Sequence, residues 1–467
     1  MSQIGIVGLG VMGAALAMNF AQHGHEVHGF DLDPEGRKRL ADRAAREGLR
    51  GNIHGHDDLA AAIGALERPR AILVMVPDRA VDAVTESLRP HLADGDIVID
   101  GGNTNFADTQ LREKALRAHG LHWVGMGVSG GEHGARHGPS MMVGGTEHAW
   151  DRIGPMILSV AADYHGTPCA ARVGPDGSGH FVKTVHNGIE YADMQLIAEV
   201  YGLCRDGLGQ DAGEIGAMFA EWNERRLRSY LVEITATVLT TADPETGRPL
   251  PDVILDSAGQ KGTGRWTVIE ALKLGQSATA IEAAVAARGI SAETAFRRAG
   301  AERLDPGGAG DLSLDPADLA SAFLAGRIVA YAQGLALLDD ASRHFEWDID
   351  LARVAEIWRA GCIIRSALLD DIASAVRQGL PEERLILAPH FRDLLAESVP
   401  ALRRVVAAAT GAGLPIPAFS AALAYYDAAR QSRGTANLIQ AQRDFFGRHG
   451  FRRVDREGEG LHGPWAG

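Results

Sequence analysis

The sequence predicts an α/β Rossmann-like N-terminal domain, followed by a large all-α domain and a short C-terminal tail. Short apolar runs alternate with helix-like segments over the first third of the chain, which is typical of a parallel, doubly wound sheet covered by helices. The turn-rich segment GPDGSG at 174–179 ends this alternation, and alanine-rich, helix-periodic segments follow it. The expected domain boundaries are therefore 1–178, 179–436 and 437–467.

The N-terminal elements follow from short apolar runs that are bounded by turn residues. The first run ends in glycines, and the later runs are as short as buried strands usually are. Strands are predicted at 3–9, 26–30, 71–76, 96–100 and 122–124, with shorter extended pieces at 141–143 and 164–168. Helices are predicted at 12–22, 80–88 and 111–118.

From residue 179 to about residue 430 the strand signal almost disappears, which indicates an all-helical domain. Its clearest predicted helical segments are 192–201, 281–287, 322–338 and 354–369. A last helix is expected at 437–446, and a glycine-rich polar tail follows it. Such a tail is usually frayed unless it docks on another surface.

Composition argues against several classes of partner. The 467 residues carry a net charge of −14 with no long basic run, which disfavours nucleic acid and anionic membranes as main partners. No stretch reaches about 18 uninterrupted apolar residues, so no membrane span is expected. The three cysteines, Cys169, Cys204 and Cys362, are scattered, so we expect neither disulfides nor a zinc site. These features predict a cytoplasmic protein without a metal.

A glycine-rich turn follows the first predicted strand and opens the first helix. Its glycines permit a tight turn and let backbone N–H groups approach a pyrophosphate, which the helix N-terminus also favours. The strand–turn–helix context makes this pattern a dinucleotide-binding fingerprint. The residues expected to meet the dinucleotide here are Gly8, Gly10, Val11, Met12 and Gly13.

Asp31, at the end of the second strand, informs the choice of cofactor. Its carboxylate can accept hydrogen bonds from the adenosine ribose and would repel a 2′-phosphate. Leu32 and Asp33 supply no cation, whereas Arg37 and Lys38 on the next helix could still reach a phosphate. The turn therefore favours NAD and leaves NADP possible. The alternative role for Asp31 is a helix cap.

Two further turns lie where ligands bind in open α/β sheets, beyond the carboxyl ends of strands. One contains Asn103, and the other contains Ser129, Gly130 and Gly131. Either one alone is also a plausible ordinary turn.

One helical stripe gathers unusual chemistry. Lys183, His186, Asn187, Glu190 and Tyr191 are spaced i, i+3, i+4, i+7 and i+8, so they share one helix face. A lysine and a glutamate two turns apart on one helix face can divide general base and general acid work. The alternative is a solvated face of polar pairs.

Other cations are individually weak signals. The glycine-broken loop 256–266 holds Lys261 and Thr263 and has the composition of an anion cradle. Arg288, Arg443 and His449 add positive or titratable groups elsewhere. Each of them alone is expected to face solvent.

Taken together, these motifs resemble the 6-phosphogluconate dehydrogenase family, the decarboxylating enzymes of the pentose phosphate pathway. The resemblance runs through GLGVMG, GVSGGEHGARHGPSMMVGG, GHFVKTVHNGIEYADMQL, LDSAGQKGTGRW, IPAFSAALAYYD and ANLIQAQRDFFGRH. It implies a homodimer that acts on 6-phosphogluconate, with a C-terminal tail that enters the partner subunit. By the family pattern, Lys183 is the general base and Glu190 the general acid.

The resemblance also implies the remaining site residues. Those lining the substrate would be Asn103, Ser129, Gly130, Gly131, His186, Asn187 and Tyr191. Those meeting the sugar phosphate would be Lys261, Thr263 and Arg288, with Arg443 and His449 contributed by the other subunit. Val76 and Asn103 complete the expected cofactor-binding set.

Two departures from the family pattern concern the cofactor. NADP-using members carry Asn-Arg-Thr where this chain has Asp31-Leu32-Asp33, and many carry Lys-Ala-Gly where it has Val76-Pro77-Asp78. Both departures favour NAD. The alternative functions are an NAD-dependent oxidoreductase acting on a smaller β-hydroxy acid and a non-catalytic NAD-sensing protein.

Overall fold

In the computed structural model, which describes residues 2–260, 262–304 and 312–465, the first 172 residues form ten strands and seven helices. The strands are β1 Gln3–Val7, β2 Glu26–Phe30, β3 Ile53–Gly55, β4 Ala71–Val74, β5 Ile97–Asp100, β6 His122–Ser129, β7 Ser140–Val143, β8 Asp163–Tyr164, β9 Thr167–Pro168 and β10 Ala170–Arg172. The helices are α1 Val11–Gln22, α2 Pro34–Arg46, α3 Leu59–Gly64, α4 Asp78–Leu88, α5 Phe106–Arg117, α6 Gly131–His137 and α7 Glu147–Val160.

Eight strands form one sheet in the order β10-β7-β6-β5-β4-β1-β2-β3. The central strands β1, β4 and β5 are mostly buried and apolar, because helices cover both faces of a doubly wound sheet. The Rossmann-like fold class is thereby confirmed. One pair departs from the parallel arrangement, since β6 and β7 run antiparallel.

The predicted extended piece 164–168 does not join this sheet. It forms the separate antiparallel hairpin β8–β9. The two turn residues, His165 and Gly166, both have positive φ (52° and 83°), as the tightest hairpin turns require. Helix α7 was absent from the sequence prediction. Its N-cap is Thr146, whose side chain accepts a hydrogen bond from the backbone N–H of Ala149.

Helices make up most of the chain after β10. Their bounds are α8 Ser178–Gly202, α9 Ala212–Asn223, α10 Tyr230–Thr240, α11 Thr263–Lys273, α12 Thr279–Ala292, α13 Thr294–Arg303, α14 Pro316–Phe345, α15 Leu351–Ile357, α16 Leu368–Arg377, α17 Pro389–Gly411, α18 Pro417–Ala429 and α19 Ala436–Gly447. This confirms the predicted all-α part. Helix α14 is central to it and packs against both α8 and α17.

Among the described residues, only α14 is long and apolar enough to cross a membrane. Its most apolar window is 94% buried inside the protein, as a core helix would be.

The predicted helix 354–369 is wrong as a single element. The chain leaves α15 after Ile357 and enters α16 only at Leu368. Gly361, with φ of 69°, adopts a left-handed conformation that breaks the helical path. Its carbonyl accepts a hydrogen bond from the backbone N–H of Ser140 (2.9 Å), so the loop 358–367 is held against the end of the sheet.

The chain divides into two compact units, Met1–Ala422 and Leu423–Gly467. The second unit contains α19 and the segment after it. In that segment Phe451 and Leu461 exchange two backbone hydrogen bonds of 2.8 and 3.0 Å, so the tail folds back on itself.

Candidate active site

The first half of α8 lies directly on the sheet because glycines line the contact. A Cβ at Gly127, on β6, would collide with the side chain of Lys183. A Cβ at Gly179 would collide with the backbone of Gly125 and Gly144. Small residues therefore bring the helix face that carries Lys183 against the carboxyl end of β6.

His186 is the centre of a buried polar group on this face. Its Nε2 lies 3.2 Å from the hydroxyl of Ser129, and its Nδ1 lies 3.1 Å from Oδ1 of Asn187 and 3.3 Å from Nζ of Lys183. The amide oxygen can only accept, so Nδ1 carries the proton and Nε2 accepts from Ser129. Because Nδ1 carries a proton, it cannot accept a hydrogen bond from a charged lysine. Lys183 therefore fits best as a neutral amine, whose lone pair can accept.

Burial lowers the pKa of Lys183, and the neighbouring carboxylate of Glu190 only partly opposes this effect. Burial also holds the pKa of His186 well below its ordinary value, with a further lowering from Lys183. A neutral lysine that has a lowered pKa is suited to accept a proton.

Glu190 lies one turn beyond His186, with its Oε2 3.8 Å from Nδ1 of that ring. Its side chain is 20% exposed. Burial raises the pKa of Glu190, and the opposing effects of Lys183 and Arg288 only partly offset this rise. A carboxyl with a raised pKa can hold a proton and donate it. The pKa of Lys183 is thus lowered and that of Glu190 is raised, which is what an acid–base pair requires.

The N-terminus of α11 packs on the same helix. The hydroxyl of Thr267 donates to the carbonyl of Thr184 (2.7 Å), and a Cβ at Gly264 would collide with the ring of Tyr191. The guanidinium of Arg288, on α12, lies 3.5 Å from the centre of the Tyr191 ring. This cation therefore lies beside the polar stripe.

Thr263 begins α11 and is buried. Lys261, the other cation expected here, lies outside the described residues.

The turns after β5 and β6 each have a local feature that fixes their backbone. Asp100 accepts from the backbone N–H of Gly102 (3.0 Å) and from the hydroxyl of Thr104 (2.8 Å), which leaves Asn103 exposed between them. Gly130 has φ of 120°, and a Cβ there would collide with the carbonyl of Gly361. Ser129 is the member of this turn that contacts His186.

Sequence reasoning missed the contribution of the loop 358–367. The Trp358 ring meets the His186 ring edge-on, with centroids 5.5 Å apart. Cys362 is buried and interacts electrostatically with Lys183, and burial raises the pKa of its thiol to about 12. The available signal was Gly361, a glycine inside an apparently helical pattern.

Arg443 and His449 belong to the second unit. Nη1 of Arg443 donates to Oε1 of Gln440 (3.2 Å), and the ring of His449 meets that of Phe446 edge-on, with centroids 6.0 Å apart.

The glycine turn after β1 fits a dinucleotide. Gly8 has φ of 97°, and a Cβ at Gly8 or Gly13 would collide with backbone atoms. A Cβ at Gly10 would meet nothing within 4 Å, so its backbone is open to a ligand. Val11 and Met12 then open α1, whose first turn has no acidic residue and no side-chain cap. Its N–H groups remain available to an anion.

A cavity of about 570 Å³ adjoins this turn, and Gly8, Gly10, Asp31, Leu32 and Val76 line part of it. Both Asp31 carboxylate oxygens accept backbone N–H groups, Oδ2 from Leu9 (2.5 Å) and Oδ1 from Asp33 (2.8 Å). Asp33 in turn caps α2 through Glu35 N–H (3.0 Å), so the capping role weighed for Asp31 belongs to its neighbour.

Arg37 makes two contacts beside the turn that follows β2. Its Nη1 donates to the carbonyl of Asp31 (2.5 Å), and its Nη2 lies 3.0 Å from Oδ1 of Asp57.

Within the described parts of the chain, no group of three His, Cys, Asp or Glu side chains could hold a metal ion.

Two family models match the chain. A model of the NAD binding domain of 6-phosphogluconate dehydrogenase matches residues 3–174, and a model of the 6-phosphogluconate dehydrogenase C-terminal domain matches residues 179–465.

Individual relatives match along the whole length. The decarboxylating 6-phosphogluconate dehydrogenase of Synechococcus elongatus is 46% identical, with 100% of this chain and 99% of that protein covered. The NADP(+)-dependent, decarboxylating enzyme of Bacillus subtilis is 44% identical, with 99% of both covered. The solved structure of Plasmodium falciparum 6-phosphogluconate dehydrogenase, described with NADP+ and with 6-phosphogluconate, superimposes with a TM-score of 0.94 at 38% identity. It covers 99% of this chain and 100% of that one.

Proposed function

Because the chain belongs to the 6-phosphogluconate dehydrogenase family, we propose that it oxidatively decarboxylates 6-phospho-D-gluconate to D-ribulose 5-phosphate and CO2, with Lys183 and Glu190 as its base and acid. The observation that carries the proposal is the buried group of Lys183, His186 and Glu190 on one face of α8, with opposite pKa shifts on the amine and the carboxyl. Full-length similarity to decarboxylating relatives disfavours a smaller β-hydroxy acid as the substrate.

The first step needs a base at the C3 hydroxyl. A bound nicotinamide ring supplies the acceptor for the hydride that leaves C3. Neutral Lys183 takes the hydroxyl proton, so C3 becomes a ketone and the lysine becomes an ammonium. His186 contacts the amine, and Asn187 in turn contacts His186 from the same helix. The lowered pKa of Lys183 makes the neutral form accessible before the reaction.

The second step uses the proton that Lys183 has just gained. The ammonium polarises the C3 carbonyl and gives its proton to the carbonyl oxygen, which takes up the electron pair as the bond to the carboxylate carbon breaks and CO2 leaves. The product is an enediol. Glu190, whose pKa is raised by burial, protonates the carbon that lost CO2, and the lysine takes back its proton as the ketone re-forms. The ammonium serves as the electrophile in this scheme, so no step is assigned to a metal.

We assign the sugar phosphate to Arg288 and Thr263, together with Lys261, and to Arg443 and His449 of the partner subunit. Arg288 lies against Tyr191, which supports a phosphate beside the catalytic face. The proposed homodimer is supported by large apolar side chains that are exposed on both units. They include Leu255, Leu272, Ile290, Phe296, Leu438, Ile439, Phe445 and Phe446.

The cofactor is a nicotinamide dinucleotide, and we propose that NAD is preferred over NADP. The support comes from Asp31 at the rim of the cavity, and from Leu32, which is 86% exposed and offers a phosphate no partner. Arg37 is held by Asp31 and Asp57. The Bacillus subtilis relative is NADP(+)-dependent and the Plasmodium falciparum structure is described with NADP+, so the proposal sets this chain apart from them. Three buried free cysteines support a cytoplasmic location.

The direct test measures initial rates with 6-phosphogluconate and each of NAD and NADP. We expect stoichiometric CO2 and ribulose 5-phosphate, and a larger kcat/KM with NAD. Reduction of the dinucleotide without CO2 release would refute decarboxylation. A larger kcat/KM with NADP would refute only the cofactor preference.

A further inference from the structure

The C-terminal segment closes around one buried carboxylate, that of Asp444 on α19. The side chain is fully buried, and each of its two oxygens accepts from two donors. Oδ1 accepts from the backbone N–H of Gly450 (2.9 Å) and lies 2.7 Å from Nδ1 of His462. Oδ2 accepts from the backbone N–H of Gly463 (2.9 Å) and from the indole N–H of Trp465 (2.6 Å). The acceptor capacity of an ionised carboxylate is thus filled by its own tail.

The ionised form is the one that the tail stabilises. Burial alone would raise the pKa of Asp444, but the hydrogen bonds from Gly463, His462, Trp465 and Gly450 outweigh it and hold this pKa below its ordinary value. Hydrogen bonds to an ionised acceptor are stronger than neutral ones. The four contacts therefore act as a clasp, which we call the Asp444 clasp.

The clasp fixes the residue that follows each of two side chains, Arg443 and His449. Arg443 directly precedes Asp444, and His449 directly precedes Gly450. His449 lies between Arg448 and Gly450, which both have positive φ (48° and 71°) and so turn the chain here. Gln440 connects the two ends, because its amide donates to the carbonyl of Gly450 (2.5 Å) and its oxygen accepts from Arg443 (3.2 Å).

We propose that Asp444 is a positioning residue that fixes the spacing of Arg443 and His449, so that the tail presents them together to the sugar phosphate. The carboxylate is saturated by the tail and does not itself touch substrate. The inference rests on the proposed function, because it assumes that Arg443 and His449 bind the phosphate. Pre-organisation of this kind lowers the entropy lost on binding, so it favours affinity for the phosphate.

The test compares Asp444→Asn with wild type on two substrates, 6-phosphogluconate and D-gluconate, which lacks the phosphate. The amide cannot accept on its nitrogen, so two of the four donors lose their acceptor. We expect the KM for 6-phosphogluconate to rise about tenfold or more, since charge-assisted hydrogen bonds are lost. The kcat with 6-phosphogluconate, the KM for NAD, and kcat/KM for D-gluconate should stay within about twofold.

Controls separate positioning from general damage. Asp455→Asn alters another tail carboxylate, which is 57% exposed and pairs with Arg453, and it should leave all constants unchanged. Trp465→Phe keeps an aromatic side chain but removes the indole N–H, one of the four donors. It should therefore raise the KM for 6-phosphogluconate by a smaller factor. It also keeps the inference testable if Asp444→Asn does not fold.

Arg443→Ala tests the premise itself. If that variant keeps the wild-type KM for 6-phosphogluconate, the assignment of the phosphate fails. If Arg443→Ala raises this KM but Asp444→Asn and Trp465→Phe do not, the positioning role is overturned. Equal losses with D-gluconate and 6-phosphogluconate would also overturn it, because they would indicate a purely structural role.

Discussion

Nζ of Lys183 lies 3.3 Å from Nδ1 of His186, and both side chains are buried on the same face of α8. Because Nδ1 donates to Asn187, this contact fits a neutral lysine and a neutral imidazole better than two competing cations. Burial lowers the pKa of both groups, which agrees with that state. This arrangement supports the proposed role of Lys183 as the base.

Replacement of Lys183 by Met should reduce kcat by about 10²–10⁴-fold, the usual contribution of a general base. The Met side chain keeps most of the apolar stem, so the fold and the thermal midpoint should be retained. Steady-state rates with 6-phosphogluconate and a thermal melt check both expectations. Lys273→Met is the matched control, because that lysine is 64% exposed and pairs with Glu270 on α11. More than about a tenth of wild-type kcat in Lys183→Met would refute the role.

Replacement of Glu190 by Gln should affect the second half of the reaction most. The amide cannot act as the proton donor to the enediol, although it keeps the size of the side chain. In a single turnover we expect the reduced cofactor to appear while release of ribulose 5-phosphate slows by about 10²-fold or more. Release at the wild-type rate in a coupled assay would contradict the acid role.

Glu190→Gln should also shift the pH dependence of kcat/KM, and the direction of this shift follows from the charges at the site. Activity needs neutral Lys183, so the rate falls as the pH drops through the pKa of this lysine. That pKa lies below the ordinary value of 10.5, and the charge that Glu190 carries in its ionised form is one factor that raises it. Glu190→Gln removes this charge, so the acidic limb of kcat/KM for cofactor reduction should move to lower pH. A limb that stays in place or moves to higher pH would contradict the coupling.

The parts of this site that were predictable from sequence are those set by local spacing. The helical period alone places Lys183, His186 and Glu190 on one face, and the structure places them together. Non-local contacts were not predictable. Gly127 has no local reason to be glycine in β6, and only the approach of Lys183 from α8 explains it.

The loop 358–367 shows the same limit. Its sequence has a helical pattern of apolar residues, and propensity alone predicts one helix from 354 to 369. The carbonyl of Gly361 instead bonds to Ser140, more than 200 residues away in sequence, and tertiary contact overrides local preference. Trp358 and Cys362 reach the site only because of this break.

Mixed dimers test whether the active site is shared between subunits. Lys183→Met and Arg443→Ala should each be inactive or strongly impaired alone. In a heterodimer, the site on the Arg443→Ala chain keeps its own Lys183 and receives Arg443 from the partner, so one of two sites is wild type. We therefore expect partial recovery of kcat/KM, measured after subunit exchange.

The control for this experiment pairs Lys183→Met with Glu190→Gln. Both residues lie on the same α8 helix, so neither hybrid site is wild type and no recovery is expected. Absence of recovery with Arg443→Ala, when heterodimers are present by mass, would contradict a shared site.

The cofactor prediction depends on the turn after β2. The double change Asp31→Asn with Leu32→Arg should shift the ratio of kcat/KM from NAD towards NADP. It removes a carboxylate that repels the 2′-phosphate and supplies a cation that can bind it. Each tenfold change in this ratio corresponds to about 1.4 kcal/mol, the scale of one charge-assisted hydrogen bond. Initial rates with both cofactors measure the ratio.

Arg37 is the native cation that could bind the 2′-phosphate, but the structure shows it engaged. It donates to the Asp31 carbonyl and pairs with Asp57, whose side chain is 97% exposed. Because Asp57 is exposed, its pair with Arg37 should be worth only about 1 kcal/mol, so Asp57→Ala should raise kcat/KM for NADP by a few-fold and leave NAD unchanged. The gain should shrink in an Arg37→Met background, because only released Arg37 can bind the phosphate. If the unmodified enzyme already prefers NADP, our interpretation of this turn is wrong, and loss of that preference in Arg37→Met or Lys38→Met would identify the cation responsible.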